Sequence, residues 1–330
     1  MKRAILMVAL GCFAIAVTGA APAATVTLKG GLVSGPQTTQ VKALTEWSRL
    51  VKERTGGQVV IEIYPAEQLG NERALLEGIN LGTIDWALIG PSSAERMAPE
   101  FGMFENAYTF RNIQHIADSA MNREFIEYLD GILGKKSNLR LLGFQWFGTR
   151  HVIADKPILS PEDGKGLKLR TPDVPAYKIA CYALGATATP MAFGEVYMAL
   201  SQGVIDAGEC SFEQINTMKW YEIKKFITLT AHVEGMTSVF MNKRSFERKL
   251  TPEQQKIVFD SGMEVWDTFF KNYQKTNEAM MEKLKGDGIT FAVPSKEQMA
   301  VFISRAHEAL AQDFIPKWGE TWVKFQSYAK

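Results

Sequence analysis

A strand–helix–strand–helix–strand order occurs twice along this chain. In the first run, Thr25 to Leu32 (TVTLKGGL) is strand-like. Gln40 to Arg54 then places Val41, Leu44, Trp47, Leu50 and Val51 on one helical face, and Gly56-Gly57 ends it. Gln58 to Tyr64 (QVVIEIY) alternates as a strand and is closed by Pro65, Asn71 to Leu81 is a second helix, and Asp85 to Ile89 a short buried strand. The second run starts at LKLR (Leu167 to Arg170), with helix at Tyr177 to Ala183, strand at Ala186 to Pro190, helix at Gly194 to Gln202 and strand at Val204 to Gly208. Strands joined through helices run parallel, which defines an α/β layer fold. Two runs of similar size predict two lobes. Between them lie a loop-rich stretch (Gly90 to Arg111), a helix over Ile113 to Leu133, and a strand-like Leu141 to Ala154 carrying FQWFGTRHV.

A third feature ties the lobes together. Thr251-Pro252-Glu253-Gln254 supplies an N-cap, a proline at the first helical position and a capping-box partner. No strong breaker follows until Gly286-Asp287-Gly288. Such a helix is on the order of 50 Å long, more than one small domain spans. Its apolar residues do not follow a clean heptad, so it is expected to pack across both lobes rather than in a coiled coil.

At the N-terminus, Met1-Lys2-Arg3 precedes an apolar run from Ala4 to Val17, and Ala21-Pro22-Ala23 fits a small-x-small cleavage site. Residues 1–23 thus read as a secretory signal peptide, which predicts an exported, periplasmic protein. Lys and Arg number 37 against 36 Asp and Glu. That balance offers no basic face for nucleic acid. Cys181 and Cys210 fall in unlike settings, a helix and a strand end, and are expected to be free thiols.

Enzyme signatures are missing. The sequence has no G-x-G-x-x-G, P-loop, H-E-x-x-H, C-x-x-C or G-x-S-x-G. None of the four histidines, His115, His151, His232 and His307, lies at metal-ligand spacing from another. The reading is a non-enzyme without metal or cofactor. Two arginines stand out instead. Arg150 follows WFGT on a strand, and Arg170 ends LKLR. Strand ends in α/β sheets face the ligand crevice, and a guanidinium matches a carboxylate or sulfonate with paired hydrogen bonds. From the strands alone, each arginine could equally serve a salt bridge within its lobe.

The stretch LKLRTPDVPAYKIACYALGATATPMAFGEVYMALSQGVIDAGE closely resembles the core signature of the TRAP-transporter solute receptors, the C4-dicarboxylate-binding type of periplasmic binding protein. YPAEQLGNERALLEGINLGTIDWAL, FGTRHV and KWYEIKKFI fit the same pattern. The resemblance covers nearly the whole mature chain. It implies a two-lobe receptor with a mixed sheet in each lobe, a long helix bridging both, and an organic acid held in the cleft. It implies lobe I at 24–147 plus about 236–275, and lobe II at 148–235 plus about 276–330. It further implies a monomer that delivers its ligand to small and large integral membrane subunits. By position, Arg170 makes the paired contact with the ligand carboxylate, Arg150 assists, Phe193 packs on the ligand and Glu72 faces the cleft. Gln68 and Tyr197 are weaker candidates.

One departure matters. Members usually carry Asn where this chain has Cys210, whose thiol is a weak donor and acceptor. Many also carry proline near ENAYTF, where this chain has Ala107. The expected pocket positions Val33, Gly90 and Ser92 are small or apolar, and Trp86 and Trp146 are candidates to line the pocket or to fill core. The expected ligand is a small or partly apolar acid, either a carboxylate or a sulfonate such as isethionate. A sensory receptor or an exported enzyme using the same cleft are the alternatives.

Overall fold

The computed structural model describes residues 25–329. The signal peptide expected over residues 1–23 lies outside the described residues. The first run consists of β1 (Val26–Leu32), α1 (Thr39–Arg54), β2 (Val59–Tyr64), α2 (Glu72–Leu81) and β3 (Trp86–Ile89). β1 lies between β2 and β3 and is parallel to both, with Val26 opposite Val59 and Gly30 opposite Trp86. Local chemistry sets the ends. Thr38 and Asn71 cap α1 and α2 through their side chains, and Gly82 stops α2 in the left-handed conformation (φ 82°).

Two 3-10 turns, Pro91–Ala94 and Pro99–Phe104, lead to α3 (Ile113–Asp118) and α4 (Arg123–Lys136). The single helix expected over Ile113 to Leu133 is therefore two. Asn122 accepts a hydrogen bond from the Phe125 N–H and starts the second, a capping role that outweighs helix continuation.

β4 (Leu139–Ala154) follows, then α5 (Pro161–Gly164), β5 (Lys168–Thr171), α6 (Tyr177–Leu184), β6 (Thr187–Pro190), α7 (Val196–Ser201), β7 (Gly208–Cys210) and α8 (Phe212–Thr217). β5 and β6 are parallel. The strand expected at Val204 to Gly208 begins later: Gly203 turns the chain at φ 70°, Val204 is exposed, and pairing starts only with the Ala207–Leu169 bridge.

β8 (Phe226–Asn242) is the element that the sequence pattern hid. It runs antiparallel to β4 from Leu139–Asn242 to Ala154–Phe226, and antiparallel to β3. The sheet order is β2-β1-β3-β8-β4-β7, and β9 (Thr290–Ala292) pairs with β8. β4 and β8 thus join the β1–β3 group to the β7 and β9 group. Their pairing shifts register at Leu141/Phe144, Trp146/Thr149 and Arg150/Val152, the irregularities that bend paired strands.

After α9 (Lys243–Lys249), α10 (Pro252–Gly286) is the long helix that the capping pattern predicted. Its first half packs on α1, where Trp47 meets Trp266 at 5.7 Å and donates to the Val258 carbonyl at 2.9 Å. Its middle crosses β4, with Phe270 and Tyr273 against Trp146. α11 (Lys296–Asp313) packs on α6, whereas α12 (Ile315–Ser327) returns to α3 and α4, placing Phe325 beside Phe104, Phe110 and His115. Thr251 and Gln254 form the complete capping box at the start of α10. Thr251→Ala is expected to lower stability by about 1 kcal/mol, read as a lower urea midpoint with an unchanged denaturant slope.

Candidate functional site

A cleft with about 440 Å³ of empty space, open in part to solvent, lies where β4 and β8 pass between the two groups of strands. Contacts bridge it from both sides. The Tyr177 hydroxyl donates to Glu105 at 2.9 Å, Gln214 Nε2 donates to Ser34 Oγ at 3.1 Å, and the Gly194 N–H donates to Glu67 at 3.1 Å. Glu213 on α8 accepts from the Thr39 N–H at 2.8 Å, at the start of α1.

Arg170 is built into one wall by β5. Lys168 is exposed and Leu169 is buried in the core, as the alternation requires. Arg170 lies on the Lys168 face yet is only 3% exposed. Its Nε and Nη2 donate to the Met191 carbonyl at 3.2 and 2.8 Å. Among the described residues, no carboxylate is within salt-bridge distance of it. Burial lowers its pKa from the usual guanidinium range, but an arginine stays charged. Phe193 lies 5.6 Å from the guanidinium and flanks it with an aromatic face. Arg170 is thus a buried cation in the lining of the cleft.

Arg150 also lines the cleft but already has its anion. Its Nε and Nη2 bind both Glu209 oxygens at 2.7 and 2.5 Å, and Nη2 also meets the Glu209 carbonyl at 3.1 Å. His232 closes the other side of Glu209 at 3.3 Å, held in turn by Thr230 at 2.8 Å. Burial alone would raise the Glu209 carboxyl, but the Arg150 guanidinium outweighs it and holds the pKa at about 2. Of the two expected anion-binding arginines, one is therefore neutralised internally.

Glu72 and Cys210 also reach the cleft. Glu72, the first residue of α2, accepts from the Gly90 N–H at 3.0 Å. Cys210 on β7 is buried, and burial raises its thiol pKa, so it presents a neutral S–H. It is free, as is Cys181 in the core. Val33 and Gly90 line the cleft as expected.

Five expected residues do not line it. Trp86 is fully buried against Trp47 on the opposite face of the sheet and donates to the Leu28 carbonyl at 3.2 Å. Trp146 faces Phe270 and Tyr273, and its indole donates to Glu234 at 2.9 Å. Phe147, the next residue, points the other way and enters the cleft, and the irregularity between Trp146 and Thr149 brings Arg150 to the same side. Gln68 is exposed on the loop before α2. Tyr197 donates to Glu222 at 3.0 Å on the outside of α7. Ser92 contributes only its backbone N–H, to Glu105 at 2.9 Å.

The sequence reading missed Glu105, Phe147, Pro172, Met236 and the polar group Ser34, Gln40, Gln214 and Thr237, all in the lining. Only ENAYTF marks Glu105 in the sequence, and the departure from the family pattern there is at Ala107. Glu105 is buried between the Ser92 N–H and the Tyr177 hydroxyl. Burial first, and then the nearby charge of Glu72, raise its pKa to about 7.

A mixed sheet threaded by two long strands, a spanning helix and a buried arginine in a bridged cleft suit a receptor for a small anion. The model of the bacterial extracellular solute-binding protein family 7 matches residues 31–317, and the chain belongs to that family. A solute-binding protein of Roseobacter denitrificans is 30% identical over 255 residues, covering 77% of this chain and 78% of that one. The 2,3-diketo-L-gulonate-binding periplasmic protein of Escherichia coli is 29% identical over 263 residues, 79% of each. The crystal structure of a TRAP periplasmic solute-binding protein from Roseobacter denitrificans with bound L-galactonate superimposes with a TM-score of 0.83 at 26% identity, covering 93% of this chain and 99% of that one.

Proposed function

We propose that this protein is the periplasmic receptor of a TRAP transporter and captures a small organic acid through its carboxylate on Arg170. The observation that carries the reading is a buried guanidinium whose only acceptor among the described residues is the Met191 carbonyl. The acid supplies the missing counter-charge by a paired hydrogen bond, and Phe193 packs beside it. Two relatives support the same chemistry, since the acids named with them, L-galactonate and 2,3-diketo-L-gulonate, each carry a carboxylate.

On this reading residues 25–147 with about 236–275 make one lobe and 148–235 with about 276–313 the other, so the expected bound of about 276–330 is shortened by α12. α12 rejoins the first through Phe325. The lobes close on the acid by hinge bending of β4, β8 and α10, and the closed form, a monomer, is recognised by the small and large membrane subunits. The ligand leaves chemically unchanged, which sets this reading apart from an exported enzyme; binding to the membrane subunits sets it apart from a sensory receptor. A sulfonate such as isethionate is less well served. Three sulfonate oxygens would draw on both arginines, and Glu209 occupies Arg150.

A thermal-shift screen of small carboxylates and sulfonates tests this reading. A true ligand at 100 times its Kd adds about 2.7 kcal/mol of stability. No stabilisation by any carboxylate would refute the proposal.

A further inference from the structure

The acidic residues of the cleft point to a narrower ligand class. The charged side chains that line it are Arg150, Arg170, Glu72 and Glu105. Glu209 cancels Arg150. One guanidinium then faces two carboxylates, and among the described residues neither Glu72 nor Glu105 has a cation within salt-bridge distance.

The two acids converge on Gly90. Its N–H donates to Glu72, and a Cβ placed there would lie 2.7 Å from a Glu105 oxygen. The glycine therefore lets both carboxyl groups approach one wall of the cleft. A dicarboxylate would bring a second anion towards this wall, where the local balance is already negative. A neutral tail would leave Glu72 and Glu105 as neighbours on this wall with only a proton on Glu105 to relieve them.

Resting on the receptor reading above, we propose that the cleft selects a small zwitterion: its carboxylate is held by Arg170 and its ammonium group by Glu72 and Glu105. The ligand then supplies a counter-ion to each end of the cleft. The groups around Glu105 are Glu72, Arg150 and the Tyr177 hydroxyl, with the Ser92 N–H. Its pKa of about 7 means that an ammonium group binds best once Glu105 has lost its proton. Affinity for a zwitterion is thus expected to rise from roughly pH 6 to 8.

Calorimetry on matched pairs tests this: β-alanine against propionate, γ-aminobutyrate against butyrate, with glycine and succinate added. At pH 8, the best amino acid should bind about tenfold or more tightly than its matched acid and than succinate. Glu72→Gln and Glu105→Gln should each shrink that ratio, and Glu105→Gln should also flatten the pH dependence. The ratio compares two ligands on one protein, so a loss of stability in a variant does not mimic the effect. If propionate, butyrate or succinate binds as tightly as the amino acids, and Arg170→Ala abolishes that binding, the zwitterion proposal falls and the receptor reading stands. If no compound in the panel binds at millimolar concentration, with or without an ammonium group, the zwitterion proposal is overturned together with its basis at Arg170.

Discussion

Arg170→Ala is expected to weaken binding of the acid by about 10- to 150-fold, because a charge-assisted pair contributes roughly 1.5–3 kcal/mol. Two features of the site set the direction. The protein's own residues already bury the guanidinium, so binding an acid strips little further water from it. It is also oriented in advance by the Met191 carbonyl and the Phe193 ring. Arg170→Lys should recover only part of the loss, since an ammonium keeps the charge but not the planar fork. The overall stability of Arg170→Ala should change little or increase, because removing a buried cation that has no carboxylate within salt-bridge distance among the described residues removes a cost. Calorimetry with denaturation of the same sample reads both effects, and a variant that binds as well as the wild type would exclude Arg170 as the anchor.

Glu209→Gln is expected to be the most destabilising single change near the cleft, by about 3–5 kcal/mol, because it leaves Arg150 buried without its anion. Replacing both partners by apolar residues, Arg150→Met with Glu209→Leu, should cost less than the single change. The pH signature distinguishes the ion pair from simple packing. The Glu209 pKa is depressed from 4.5 to about 2 on folding. Its contribution is therefore complete above about pH 4.5 and is lost as the pH falls towards 2. The variant should lack that acid limb. Glu105 acts with the opposite sign: raised from 4.5 to about 7, it costs stability as the pH rises through that interval. Denaturation of the wild type and Glu209→Gln between pH 2 and pH 8 measures both slopes. Equal stability of the two proteins at pH 7 would contradict a structural role for the pair.

What could be read in advance followed from short-range rules. Apolar periodicity and the Thr251 capping box located α1, α2, β2 and α10, because those signals lie within one turn or one strand. Arg170 stood out because a cation at a strand end contradicts the apolar support beside it. β8 carried no such local mark, and its place between β3 and β4 depends on partners some 70 to 150 residues away. The same limit explains the side chains. Trp146 and Phe147 are adjacent on β4, and only the pleat decides which one enters the cleft. Trp86 is large and aromatic, as a ligand platform would be, yet Gly30 beside it clears space for its ring in the core. The partner of Arg150 was open in the sequence, and Glu209 lies just before Cys210, the position that the family resemblance had singled out. Glu105 was invisible because burial and the neighbourhood of Glu72 are properties of the assembled cleft.

A crystal structure of the protein with a bound carboxylate tests Arg170 as the anchor. Two parallel contacts of about 2.7–2.9 Å are expected between the ligand carboxylate and the Arg170 guanidinium, beside the Phe193 ring, with Arg150 still on Glu209. A carboxylate seated elsewhere in the cleft, with Arg170 bonded only to the Met191 carbonyl, would contradict it.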